Sequence, residues 1–544
     1  MPDNAAYDYI VVGAGSAGAV VASRLTESGT YRVLLLEAGT KGSNHFWARV
    51  PVGTSKMIDD PAVNWCYQSE PDEGSGGRRI DVPRGKMMGG SSSINGMVYM
   101  RGQAQDYDHW AQLGNRGWSY QDVLPIFRRM ERYEGGSDKF RGRSGLLRVT
   151  DTPRNKVPLL EKIIAAAAKI GLPFNPDLNG ETQEGVGMSQ VTIAGGKRQS
   201  TAVCYLDPVR DRSNLVIEQG AMAETLILEG KRCVGVRYSV SGVRREARAT
   251  REVIVCGGSI NSPKLLELSG IGQPELLSSL GITPVHELRG VGENLRDHYS
   301  PRIKFAITER NLTFNDNARG WRLVREAAKY ALFGTGFLAS TAVPIRIYFR
   351  TREGLETPDA TISILPFLYE MVGRQRRVAK RQGITMNANV LRSESTGSIH
   401  IKSADPAEPP AIRFNFLSTE HDRTGILAVI RKGRELMATS PLREVTGEEI
   451  APGAKLQSDD ELLDWVRNNA ETTYHPVGTC RMGSDPLAVV DRELRVHGIE
   501  RLRVADASIM PTLTSGNTNA PAIMIGEKCA EMVLAQAASR KAAA

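Results

Sequence analysis

Both ends of this chain carry residue types at spacings that chemistry would use. Near the C-terminus, Thr472-Thr-Tyr474-His475-Pro476-Val-Gly478-Thr-Cys480-Arg-Met-Gly483 sets one histidine in a turn stiffened by proline and glycine. An imidazole titrates near neutral pH, so a histidine held there could take a proton from a reactant. A lone histidine is also commonly just a satisfied polar group, and the turn alone leaves both readings open. Downstream, Ser515-Gly516-Asn517-Thr518-Asn519-Ala520-Pro521 opens an apolar helical stretch, Ala522 to Lys528. Backbone N–H groups at a helix start favour negative charge that develops beside them.

The N-terminal stretch is more specific. Tyr9 to Val12 read as a short buried strand, Gly13-Ala14-Gly15-Ser16-Ala17-Gly18 follows at G-x-G-x-x-G spacing, and Ala19 to Leu25 continue as an apolar helix. Gly13 permits the tight turn, Gly15 lets backbone approach a pyrophosphate, and Gly18 lets the helix pack on the sheet. A second strand, Arg32 to Leu36, ends in Glu37, placed to hold a ribose diol at the spacing a dinucleotide uses. This motif does not separate NAD from FAD.

Two further stretches have the same character. Pro83-Arg84-Gly-Lys-Met-Met88-Gly89-Gly90-Ser91-Ser92-Ser93-Ile94-Asn95-Gly96 supplies free N–H groups and hydroxyls suited to phosphate and polyol. A flexible linker would be polar throughout, whereas Met97, Val98, Tyr99 and Met100 follow directly. Glu252 to Cys256 read as a buried strand ending in Gly257-Gly258, and Gly258 to Gly272 as a turn and helix with glycines at both ends. Trp65 is either core or a wall of the nucleotide site.

The bulk numbers exclude several classes. At 544 residues the chain exceeds one compact core, so two domains, separate or interleaved, are expected. A net charge of +8 could signal nucleic acid, but the charge is spread. The one dense run, Arg374 to Arg381, lacks aromatics and reads as a solvated loop or helix face. Six cysteines without C-x-x-C spacing argue against zinc and a disulfide framework and suit a reducing compartment. No metal site, signal segment or membrane-spanning run is read, so a cytoplasmic enzyme is expected.

For the remaining elements, Leu159 to Ala168 read as a helix, and Leu215 to Gln219, Ala223 to Leu228 and Cys233 to Tyr238 as a strand meander. Thr361 to Leu365 and Thr396 to Lys402 read as strands of an antiparallel sheet, and Ile426 to Leu436 as an amphipathic helix. His400 and His421 are expected to be structural or surface residues. Leu502 to Ala505 read as a strand ending in Asp506, and the tail from Ala538 as frayed.

Arg84 to Gly102 and Gly258 to Gly272 resemble the two signatures of the glucose–methanol–choline (GMC) oxidoreductases. With the opening motif and the His475 segment, the resemblance covers nearly the whole chain. It implies an α/β fold in which a Rossmann-like, FAD-binding domain of the glucose-oxidase type is interleaved with an α+β substrate domain on an antiparallel sheet. The FAD-binding parts are then 1–150, 197–300 and 471–537, the substrate parts 151–196 and 301–470, and the tail 538–544. Residues expected against FAD are Gly13, Gly15, Ser16, Ala17, Gly18, Glu37, Ala38, Trp65 and Arg84. Met88, Gly89, Gly90, Ser92, Asn95, Gly96, Met97, Val98 and Ala223 follow, then Gly257, Ser262, Asp506, Ala507, Asn517, Thr518 and Asn519.

The resemblance also implies the reaction, in which His475 removes the hydroxyl proton while the carbinol hydride passes to flavin N5, giving an aldehyde or ketone. Asn517 positions the alcohol oxygen, and because asparagine does not titrate, one group governs the acid side of the pH–rate profile. Family members that tether FAD do so through a histidine where this chain has Ile94, so FAD is expected to be non-covalent. Asp506 is either a turn cap or a flavin partner, and Cys480 is structural. The chain looks most like bacterial choline-type and other primary-alcohol dehydrogenases. Choline itself would want an aromatic cage and a carboxylate. The alcohol, oxidase against dehydrogenase, the electron acceptor (O2, quinone or another carrier) and the oligomeric state stay open. An NAD-dependent dehydrogenase would leave the other motifs unexplained.

Overall fold

The computed structural model describes residues 6–154, 157–372 and 375–543. Its opening strand, Ala6–Val12, lies between Val33–Glu37 and Val243–Val255, parallel to both. All of Val33–Glu37 is buried, as a strand covered on both faces must be. Among the described residues this is a seven-stranded sheet. Leu215–Gln219 extends it beyond Val33–Glu37, and Leu502–Val504 joins Val243–Val255 in parallel. Ala221–Glu229, Arg232–Val240 and Val243–Val255 form an antiparallel meander. Leu215–Gln219, read as part of that meander, instead sits at the far edge, because its partner is the second strand of the nucleotide motif.

Among the described residues a six-stranded antiparallel sheet runs in the order Thr446–Ala451, Arg302–Ile307, Gly383–Val390, Ala360–Leu365, Ile345–Phe349, Gly185–Met188. Its strands alternate apolar and polar residues. Ile303, Ile362 and Met386 pack against the helix Glu420–Met437 at Gly433, where an added Cβ would meet Ile303 at 3.3 Å and Met386 at 3.4 Å. Thr419 caps that helix by accepting the Asp422 N–H. The polar alternates face the other way.

Several elements depart from the sequence reading. Among the described residues Ser398–His400 pairs with Ala411–Arg413 in a separate two-stranded ribbon rather than in the main sheet. The basic run is in part a strand rather than a loop or helix: Gln375–Val378 pairs with Tyr369–Val372, Lys380 and Arg381 follow in a loop and are exposed with Arg377, and Arg374 lies outside the described residues. The final helix begins at Asn519 and continues to Ala543, so the tail read as frayed is helical up to Ala544, which is not described. Ala- and Lys-rich sequence propagates a helix already anchored upstream. Gly526 of this helix crosses the helix Gly18–Leu25 closely, since a Cβ there would meet Ala17 O at 2.7 Å. Among the described residues no helix is long and apolar enough to cross a membrane.

His400 is structural, as expected, but it is not a surface residue. Its ring nitrogens meet Glu267 at 2.7 Å and Glu293 at 3.1 Å. Burial opposes its charge, yet the two carboxylates outweigh it and raise the imidazole to about 9. A folded-state value above the unfolded ~6.5 makes this contribution complete below ~6.5 and lost as pH rises through about 9. The Tm advantage of the native chain over His400→Gln should therefore be greatest near pH 6 and shrink towards pH 9. Thermal melts across that range check it, and an advantage that grows with pH would contradict it.

Candidate active site

A cavity lies between the two sheets, with Val12 and Leu36 of the first and Arg302, Arg346 and Ser363 of the second among its lining. On the first side the glycines shape it. Gly13 has φ +102°, and a Cβ there would meet Cys256 O at 2.5 Å. A Cβ on Gly18 would meet Gly13 O at 1.9 Å, whereas one on Gly15 would meet nothing within 4 Å. The carboxylate of Glu37 accepts N–H bonds from Ala14 (3.0 Å) and Gly39 (2.8 Å). Burial pushes its carboxyl up to about 7. Each of its oxygens keeps acceptor capacity. Ser16 Oγ donates to Asn519 Oδ1 at 2.7 Å, tying the first turn to the final helix. Asp506 caps the turn Ala507–Ile509 through the Ser508 N–H (2.8 Å) and also accepts from Gly258 N–H (2.8 Å) and Ser262 Oγ (2.6 Å).

His475 stands at the opposite end. Tyr474 turns the chain at φ 70°, and the His475 N–H donates to Asp297 Oδ1 at 2.9 Å. Its Nδ1 meets His298 Nδ1 at 3.0 Å and Thr473 Oγ1 at 2.9 Å, and its Nε2 meets Asn517 Nδ2 at 2.8 Å. These contacts fix the protons. His298 Nε2 lies 2.8 Å from Leu391 O, and a carbonyl only accepts, so the His298 proton is on Nε2. Burial holds His298 down to about 4, so it carries one proton and its Nδ1 is a lone pair. His475 must then donate from Nδ1, which leaves Nε2 as a lone pair that accepts the Asn517 amide. That is the tautomer a general base needs.

The second sheet supplies the facing wall. Register places Arg346 opposite Ser363, Ser363 opposite Asn387, and Asn387 opposite Arg302, all lining the cavity. Arg346 Nη1 donates to Asn517 Oδ1. Arg376 reaches the same wall, donating to Glu471 (2.7 Å) and the Tyr474 hydroxyl (2.9 Å).

Two GMC oxidoreductase family models match the chain, over residues 7–300 and 393–526. The chain belongs to the GMC oxidoreductase family. It is 42% identical over 540 residues to an oxygen-dependent choline dehydrogenase of Pseudomonas savastanoi pv. phaseolicola, covering 98% of this chain and 94% of that protein. It is 41% identical over 529 residues to one from Brucella anthropi, covering 97% and 95%. Among solved structures it resembles an Aspergillus oryzae RIB40 formate oxidase variant studied for FAD modification (TM-score 0.91, 25% identity, 98% and 99% covered). It also resembles pyridoxine 4-oxidase from Mesorbium loti (TM-score 0.86, 28% identity, 96% and 98% covered). This GMC oxidoreductase is thus an FAD-dependent enzyme acting on CH–OH donors, which settles FAD over NAD.

Most residues expected against FAD line the cavity: Gly13, Gly15, Ser16, Ala17, Glu37, Ala38, Trp65 and Arg84 do, as do Gly90, Asn95, Gly96, Met97, Val98 and Ala223. So do Gly257, Asp506, Ala507, Asn517, Thr518 and Asn519. The others stand behind it. Gly18 packs on Gly13, Met88 is buried, and the Gly89 N–H bonds Ala14 O at 2.8 Å. Ser92 Oγ donates to Gly89 O at 2.6 Å, and Ser262 is spent on Asp506. These five brace the loops rather than face a ligand. The open space at Gly15 and the uncapped acceptors of Glu37 fit a dinucleotide. Sequence reasoning missed Asp297, His298, Arg302, Arg346 and Arg376. The signal available for Arg346 was its strand, Ile345-Arg-Ile-Tyr-Phe, where one charged residue interrupts an apolar run.

The electrostatics favour a neutral His475. Burial first, then the His298 ring and the Arg346 and Arg84 charges, hold its pKa well below 6.5. Arg84 is itself lowered by burial to about 10, and its Nη2 donates to Tyr474 O at 2.6 Å. Burial raises the nearby Asp297 to about 7. A base with a lowered pKa keeps its lone pair to lower pH, so the acid limb of kcat/KM should fall below the ordinary imidazole value of ~6.5 with a slope of one. A pH series checks this, and a limb centred above ~6.5 or a slope of two would contradict it.

Proposed function

We propose that the chain oxidises a small, primary alcohol to its aldehyde with His475 Nε2 as the general base. The single observation that carries this is the unprotonated Nε2 of the cavity-lining His475, whose lone pair is held by the Asn517 N–H at 2.8 Å until an alcohol hydroxyl takes that place. FAD, when bound, supplies the hydride acceptor. Gly13, Gly15, Glu37, the Gly90–Gly96 loop and Asp506 would hold it, and the start of the Asn519–Ala543 helix would face its developing negative charge. Asn517 donates to the alcohol oxygen and orients it, and His298 keeps the proton of His475 on the far nitrogen. FAD is bound non-covalently, since Ile94 offers no nucleophile. Acid precipitation should leave the yellow colour in the supernatant, and a yellow pellet would contradict it.

The division into FAD-binding parts 1–150, 197–300 and 471–537 and substrate parts 151–196 and 301–470 is supported by the strands each sheet draws from those segments. Cys204, Cys233, Cys256, Cys480 and Cys529 are buried and form no disulfide among the described residues, which supports a reducing compartment, in keeping with the cytoplasm.

Anaerobic titration of the yellow protein with primary and secondary alcohols tests the reading. Bleaching of the blue-region flavin band by a primary alcohol is expected, and a protein that no alcohol bleaches would overturn it. Admitting air then separates an oxidase, which regains colour at once, from a dehydrogenase.

A further inference from the structure

The charge of the cavity wall bears on which alcohol enters. Arg346 is only 4% exposed, its Nη1 is spent on Asn517, and its Nε has no hydrogen-bond partner. Among the described residues no carboxylate lies within ion-pair distance of it. Removing a guanidinium from water without a counter-ion costs several kcal/mol. Such a residue is expected where a ligand completes the pair. The neighbouring cations do not help. Arg302 and Arg376 share the single carboxylate of Glu471, at 3.3 and 2.7 Å. The wall therefore carries one positive charge beyond what Glu471 neutralises, and Arg346 adds a second. The lining carboxylates, Glu37 and Asp506, are engaged with backbone N–H groups of Ala14, Gly39, Gly258 and Ser508.

We infer that the alcohol accepted here carries a carboxylate close to its carbinol carbon, held by Arg346 with the Ser363 hydroxyl and the Asn387 amide beside it. This rests on the reading of His475 as the base. The spacing follows from the hydrogen-bond chain: Arg346 bonds Asn517, and Asn517 bonds His475 Nε2. The guanidinium is thus one side chain away from the hydroxyl's site, within reach of an anion a few bonds from it. The carboxylate is a handle and is unchanged by the reaction. The O–H proton goes to His475 Nε2, the C–H leaves as hydride to the FAD of the established activity, and an oxo-carboxylate results.

The same wall disfavours a quaternary ammonium, which needs open aromatic faces and a carboxylate. The lining aromatics are committed. Trp65 stacks on Tyr67 and carries the Lys86 ammonium 4.7 Å from its ring centre, and Tyr474 bonds Arg376.

The test compares anaerobic flavin reduction in the holoenzyme by 3-hydroxypropanoate, by its neutral amide and by choline. The acid is expected to show an apparent second-order rate constant ~100-fold above the amide, the scale of one charge-assisted pair. Arg346→Met should bring the acid-to-amide ratio close to one, and Arg346→Lys should retain part of it. Propanoate should inhibit competitively and propanamide should not. That comparison, made on the native chain, decides the matter even if Arg346→Met fails to hold FAD. Equal rates for acid and amide, a faster reaction with choline, or an unchanged ratio in Arg346→Met would overturn the anion preference alone. Failure of every alcohol to bleach the flavin would overturn the reading of His475 and this inference with it.

Discussion

Replacing His475 with glutamine slows flavin reduction by alcohol by ~10²–10⁴-fold, the range that a positioned general base contributes. Glutamine approximates the length of the imidazole and can still meet the Asn517 amide, but its amide has no basic lone pair near neutral pH. FAD binding should survive, because the groups proposed to hold the dinucleotide lie at the far end of the cavity, on the Gly13–Gly18 turn and Glu37. The loss should appear in the rate of reduction at saturating alcohol rather than in the amount of flavin bound. Anaerobic stopped-flow on the yellow variant measures it. A rate within tenfold of the native enzyme would mean that another group takes the proton.

The second large effect separates a glycine that faces the ligand from one that faces the protein. Valine at Gly15 should leave the chain folded, since a Cβ there has nothing within 4 Å and the backbone is outside the left-handed region. Its methyl groups would occupy space that the pyrophosphate needs, and FAD affinity should fall ~10–100-fold, the scale of 1–3 kcal/mol of overpacking. Valine at Gly18 should instead damage the fold, because its Cβ would sit 1.9 Å from Gly13 O and 2.9 Å from the Cys256 side chain. Flavin content and thermal melts of the two variants should therefore move in different ways: Gly15→Val loses flavin with its secondary structure intact, and Gly18→Val loses Tm. A Gly15→Val protein as yellow as the native one would contradict this account of the turn.

The residues legible in the sequence are those whose function fixes a local spacing. The glycines of the first turn, Glu37 at the end of the second strand, and His475 in its Pro/Gly turn all declare themselves within a few residues. The residues that escaped are assembled by topology. His298 reaches His475 across 177 residues, and Arg346 reaches Asn517 across 171. Nothing in the local sequence of His298 points to its partner; Asp297 and His298 read as an ordinary polar pair after Leu295-Arg296. Arg346, Ser363, Asn387 and Arg302 become one row only once strand register is known. Arg376 was misread for a physical reason. A run of cations without aromatics is usually solvated, but here period-2 alternation in the strand Gln375–Val378 carries one arginine inward to Glu471 and Tyr474.

His475 as a base rests on one microscopic fact, the location of its proton. Long-range proton–nitrogen correlation spectra of the holoenzyme, labelled with ¹⁵N in histidine and assigned against His475→Gln, read that location directly. At neutral pH His475 should show a protonated Nδ1 and a bare Nε2, and His298 the reverse. A protonated Nε2 on His475, or a doubly protonated imidazolium there at neutral pH, would contradict the account, because no lone pair would then face the alcohol.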